Sequence, residues 1–219
     1  MKKILLILTT AIAFNAAFSQ VSDSVDLTAG YSNQVFYKLS DGSKISTLST
    51  DWDLQFFSSL FSASIRVNSG FGVELYLPTN PDTTGFATTT LDTTGKTLLR
   101  DDNTNWELDA FTSTSTGHPN YGWGYYQGTG KLVGIKIFAI KLSSGVVKKI
   151  WVKSFETAGQ INLVIADLDG SNLVTKTLNR TTYSTKKHFY YDVEGDAVLD
   201  AEPASSDWEL VFRKYEENV

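Results

Sequence analysis

His118 and His188 are the only two histidines in the chain, and imidazole is the side chain best suited to binding a metal or moving a proton near neutral pH. His118 lies in STGHPNYGWGYYQGTG, where glycines are interleaved with Tyr121, Trp123, Tyr125 and Tyr126. Such aromatics can line a flat apolar slot or stack on a sugar. His188 opens the stretch HFYYDV directly after Lys186 and Lys187. The bland alternative makes His118 a turn residue ahead of Pro119 and His188 an exposed residue at a strand end.

Other candidate motifs weaken on inspection. DTTG occurs at Asp82 and again at Asp92, in the manner of the paired aspartates of acid proteases, but the extra Thr and the polar flanks fit a Thr-rich surface loop better. ADLDGSN supplies Asp167, Asp169 and Asn172 as oxygen ligands but lacks the third acid and the distal Glu of a calcium loop. A hairpin turn accounts for it. Gly70-Phe71-Gly72 runs into an extended stretch, so no helix N-terminus is there to hold a phosphate. No nucleophile stands beside a base in a recognisable setting, and the expectation is a protein that is not an enzyme. A hydrolase using carboxylates such as Asp51, Asp53 and Asp109 is the residual catalytic reading.

The elements that must carry these residues follow from composition and pattern. With 219 residues, 42% of them hydrophobic, the chain can bury one substantial core. Lys2 and Lys3 precede the apolar run Ile4 to Phe14, and Ala17-Phe18-Ser19 offers small residues for cleavage. Residues 1–19 are therefore expected to be a secretory signal peptide, leaving residues 20–219 as one exported domain, extracellular or associated with the cell surface, with no transmembrane anchor. Cysteine is absent, which removes disulfides, thiolate metal sites and a lipidated cysteine. The formal charge of −5 argues against nucleic acid as a partner, since phosphate backbones reward clustered Lys and Arg.

Short β-branched and aromatic runs alternate with turn residues. Hairpins are expected at Asp41-Gly42, Asn68-Ser69-Gly70, Ser143-Ser144-Gly145 and Asp169-Gly170. No segment after the leader holds a helical period, so the predicted fold is all-β: a single antiparallel domain of hairpins and meanders. One phrase recurs, as STDWDLQF at Ser49, NTNWELDAF at Asn103 and SSDWELVF at Ser205. Aligning Phe36-Tyr37 with Phe189-Tyr190 also aligns Asp41-Gly42 with Glu194-Gly195, and Trp52 with Trp208 once three residues near Ala201-Glu202-Pro203 are treated as an insertion. Alternation puts Trp52, Leu54 and Phe56, and likewise Trp208, Leu210 and Phe212, on one face. That face is predicted to enter the core, with Trp106 buried as well.

FYKLSDG, STDWDLQF, IRVNSGFGVELY, HPNYGWGYY, DLDGSN and EPASSDWELVFRKY, in that order, resemble the HmuY-like exported proteins of Bacteroidetes. The resemblance covers most of the chain after the leader and implies an all-β fold, a place at the cell surface or beyond it, and capture of haem between two histidines. In this chain that pair can only be His118 and His188, with Tyr121, Trp123 and Tyr125 as walls of the slot. The resulting expectation is a ligand-binding protein with haem as cofactor or cargo. The alternative is a surface or matrix protein that contacts glycans or other proteins without haem.

Overall fold

The computed structural model describes residues 22–79 and 81–216. The expected signal peptide lies outside the described residues. The strands are β1 (Asn33–Tyr37), β2 (Lys44–Leu48), β3 (Leu54–Phe57), β4 (Ile65–Val67), β5 (Glu74–Leu77), β6 (Thr97–Leu99), β7 (Gly124–Tyr126) and β8 (Leu132–Gly134). They continue with β9 (Phe138–Lys141), β10 (Val147–Phe155), β11 (Gln160–Asp167), β12 (Val174–Asn179), β13 (His188–Asp192), β14 (Ala197–Leu199) and β15 (Leu210–Phe212). All pairings are antiparallel, and helical structure among the described residues is confined to short 3-10 turns. The fold is all-β, as its sequence pattern predicts. No described helix is long and apolar enough to cross a membrane.

The strands form an eight-stranded sheet ordered β12-β11-β10-β9-β5-β6 with β7 and β8 attached, a four-stranded sheet β14-β13-β3-β4, and a three-stranded sheet β15-β1-β2. Directly paired residues share a face, so Leu54, Phe56, Ile65, Val67, Phe189 and Tyr191 form one face of the four-stranded sheet. They pack on Phe138, Ile140, Ile150, Val152, Ile161 and Leu163 of the large sheet, and this is the apolar core. The opposite face carries Gln55, Phe57, Arg66, His188 and Tyr190. It does not meet solvent. Gln34 of β1 hydrogen-bonds Tyr190, and Arg213, directly after β15, bonds Gln55, which places the three-stranded sheet over it as a third layer.

That third layer explains why strict alternation fails in β3 and β13. Gln55 is as buried as Leu54 and Phe56, because Gln34 and Arg213 of the overlying layer cover the polar face of the middle sheet.

The sequence repeat is a strand exchange. Hairpin β1–β2 from the first copy takes β15 from the second, while hairpin β13–β14 from the second takes β3 from the first. The two exchanges differ by one residue in register: Phe189 faces Phe56, but Val35, not Phe36, faces Phe212. A slip of one residue reverses which face a strand presents. Leu54 and Phe56 accordingly enter the core, while Leu210 (42% exposed) and Phe212 (38%) stand outside, contrary to the prediction. Trp52 and Trp208 are buried as predicted, although each sits two residues before its strand. Trp106 is not buried: it is 39% exposed in the loop between β6 and β7.

Three of the four expected hairpins form, at Asp41-Gly42, Ser143-Ser144-Gly145 and Asp169-Gly170. At Asn68-Ser69-Gly70 the chain instead makes a 3-10 turn that carries it from β4 in the four-stranded sheet to β5 in the large one. Gly70 is required there by close approach, since a Cβ would collide with the backbone carbonyl of Lys214.

Candidate functional site

The two histidines occupy unlike places. His118 is exposed in the loop before β7, its Nδ1 3.3 Å from the Tyr121 hydroxyl and its ring 5.0 Å from that of Tyr126. Tyr125 points outward and is 41% exposed. Trp123 does not line a slot. It is fully buried in the core, its Nε1 donating to the Ala63 carbonyl at 2.8 Å and its ring 4.6 Å from that of Phe155. The bland reading of His118 as a turn residue therefore fits its setting.

His188 is not the exposed strand-end residue of the bland reading. It opens β13 on the covered face of the middle sheet and is 3% exposed. Its Nδ1 lies 2.8 Å from Oε2 of Glu202, itself buried. The second carboxylate oxygen of Glu202 accepts the backbone N–H groups of Lys187 at 2.7 Å and His188 at 3.1 Å. Burial lowers the His188 pKa below the ordinary histidine value, which favours the neutral ring. With Glu202 as acceptor, the proton of that neutral ring resides on Nδ1 and the lone pair on Nε2. Nε2 has no hydrogen-bond partner.

His188 lines a cleft of about 430 Å³ whose other walls include Phe57, Trp106, Trp208, Leu210 and Val211. The Phe57 ring meets His188 edge-on at 4.4 Å and the Trp106 ring lies 5.7 Å away. Trp208 contributes a second buried polar atom without a partner, its Nε1. Lys187, which also lines the cleft, holds its ammonium 5.1 Å from the Trp208 ring centroid. The cleft thus presents large apolar surfaces with a cation beside them, and two unpartnered polar atoms, His188 Nε2 and Trp208 Nε1, lie buried within its walls. His118 is not among its walls, and the two histidines share no aromatic neighbour. The structure does not bring the two histidines of the expected clamp together in this cleft.

Set against protein-family models, curated proteins and solved structures, the chain matches none of them. The site is read from its own geometry.

The remaining motifs resolve into turns. Asp82 Oδ1 accepts the Thr84 N–H at 3.0 Å and Asp92 Oδ1 the Thr94 N–H at 2.8 Å, so both DTTG phrases are side-chain-capped turns. Asp167 bonds Asn172 within the β11–β12 turn and Lys148 on the neighbouring strand β10. Sequence reasoning missed Glu202, the residue that orients His188. A signal was present, because Glu202 lies in the three-residue insertion that distinguishes the second copy of the repeat from the first.

Two buried acids outside the cleft give the fold a pH dependence. Burial pushes the Asp53 carboxyl up to about 6, and burial reinforced by the Asp101 charge pushes that of Asp109 up to about 7. Both start near 3.8 when unfolded, so the fold binds their protons more tightly than the unfolded chain does. Their contribution to stability is complete below about pH 4 and is lost as pH rises through about 6 to 7. The buried His188, its pKa lowered, acts in the opposite sense over the same range, so the acids are isolated by a variant: Asp53→Asn should lose less Tm than wild type on going from pH 5 to pH 8 in calorimetry, since an amide oxygen can still accept the Val193 N–H that Asp53 Oδ2 accepts at 2.8 Å. An identical change of Tm with pH in wild type and Asp53→Asn would contradict the Asp53 assignment.

Proposed function

We propose that this protein is an exported, non-catalytic ligand-binding module of the HmuY-like kind, that its ligand site is the His188 cleft, and that haem is the ligand it takes. The observation that carries this reading is the His188 imidazole, fixed by Glu202 through Nδ1 and left with an unpartnered Nε2 buried in the wall of an aromatic cleft, which a ligand reaches by displacing the neighbouring side chains. Carboxylate-oriented imidazole is the arrangement that raises ligand basicity and fixes ring orientation at metal centres, and neutral imidazole is a favoured axial ligand of haem iron. Phe57, Trp106 and Trp208 supply apolar surface for a porphyrin, and Lys187 a cation for its carboxylates.

A haemin titration followed in the Soret region tests the proposal. Wild type and His118→Ala should show the same saturable, one-to-one shift, with the ligation expected of a single histidine. His188→Ala should bind at least about tenfold more weakly, the lower end of the effect of removing support from a metal site. Equal affinity in wild type and His188→Ala would overturn the assignment. Unsaturable uptake by wild type would favour a surface module that contacts glycans or proteins through Tyr121, Tyr125 and Tyr126.

A further inference from the structure

Trp106 separates the His188 cleft from a second one, about 150 Å³ in volume, that opens between β4 and the segment after β15. Arg213, in that segment, is its central cation. The guanidinium lies between two indoles, 5.5 Å from the Trp52 ring centroid and 4.8 Å from that of Trp106. Its Nη1 donates to Gln55 Oε1 at 2.9 Å. Among the described residues no carboxylate lies within ion-pair distance of it.

The neighbouring acids are otherwise engaged. Asp101 accepts the backbone N–H groups of Val67 and Ala110 and lies 3.7 Å from Arg66 Nε. Glu216 pairs with Arg100, and Glu202 with His188. Arg66, a second lining residue, spends Nη1 and Nη2 on loop carbonyls from Asp102 to Leu108. The cleft's unsatisfied groups are all donors: Trp52 Nε1 and Arg66 Nε are buried without a hydrogen-bond partner, on residues 2% and 5% exposed. A partly buried guanidinium with no carboxylate in ion-pair contact is costly to a fold, and burial lowers the Arg213 pKa although the charges of Asp101 and Glu202 act the other way. An external anion would relieve that cost.

We propose that this cleft is an oxyanion site, in which Arg213 and the Trp52 indole N–H hold a carboxylate or phosphate group. Its volume suits one such group or the acidic end of a small molecule. The inference is independent of the His188 reading, since it rests on other residues on the far side of Trp106.

The chain has five tryptophans, so the indole N–H region of a ¹⁵N–¹H spectrum is simple enough to follow each one. Titration with inorganic phosphate, and separately with acetate, at ionic strength matched with chloride should move the Trp52 resonance saturably while that of core Trp123 stays in place. A response to phosphate alone identifies the group as phosphate, and a response to acetate alone as carboxylate; either supports the site. Arg213→Gln should weaken the response at least tenfold, with an unchanged Trp123 signal reporting an intact fold. If that variant does not fold, the wild-type comparison with chloride still decides. A Trp52 signal that does not saturate with either oxyanion, or that moves equally with chloride, overturns the proposal.

Discussion

Trp123→Ala is expected to leave little folded protein at growth temperature. Trp123 has no exposed surface, packs against Phe155 and spends its indole N–H on the Ala63 carbonyl. Truncating a buried Trp to Ala costs about 3–5 kcal/mol from lost burial and the cavity left behind. The Ala63 carbonyl would also lose its indole donor. Against a total stability of about 5–15 kcal/mol for a domain, that loss is large. Trp123→Phe, which keeps most of the apolar volume and loses only the polar contact, should lie between the two. Urea denaturation gives the comparison. An alanine variant within about 1 kcal/mol of wild type would mean that Trp123 is not the core residue described, and would return it to consideration as a wall of a ligand slot.

The second large effect is expected at Asp109, whose carboxylate fastens the loop after β6 to edge strand β4. One oxygen accepts the Ser64 hydroxyl and the Ile65 N–H, the latter at 2.9 Å, and the other accepts the Thr112 N–H at 2.9 Å. Asp109→Ala leaves these buried donors without their acceptor, at about 1–3 kcal/mol for each one not rescued by water, so a total loss of at least about 3 kcal/mol is expected. Asparagine is no remedy. Whichever way its amide is turned, the NH₂ group meets a backbone N–H. Asp109→Asn should therefore also lose stability in chemical denaturation, whereas Asp53→Asn should be tolerated far better. Equal tolerance of the two asparagine variants would contradict this account of the Asp109 clamp.

The fold class was legible because its signals are local. β-Branched runs broken by Asp-Gly and Ser-Gly turns specify hairpins wherever both arms remain in one sheet, and three of the four expected hairpins obey this. The fourth fails because β4 and β5 belong to different sheets, a long-range fact that the glycine-rich turn cannot express. The recurrent Trp phrase correctly marked two related strands. It could not show that each pairs with the other copy's hairpin, or that the registers differ by one residue, and the exposure of Leu210 and Phe212 follows from that slip.

The candidate site was legible only in part. His188 could be singled out by its scarcity, but its place at a strand end after two lysines read as exposed, and the covering third sheet is invisible to a period-two pattern. Its partner Glu202 is fourteen residues away in an insertion, so spacing alone did not connect them. The His118 loop misled because aromatics between glycines look alike whether they face a slot or a core, and Trp123 faces the core. Arg213 carries no signal of its own in the sequence, because the two indoles beside it come from Trp52 and Trp106, far away along the chain.

The most direct test of the His188 cleft uses protein labelled with ¹⁵N at histidine alone, which contains just two imidazoles to observe. The His188 ring should show the neutral form protonated at Nδ1, and addition of gallium protoporphyrin, a diamagnetic stand-in for haemin, should shift its Nε2 resonance until one equivalent is bound while the His118 ring is unaffected. Movement of His118 with His188 unchanged, or no saturable movement of either ring, would contradict the assignment of the cleft.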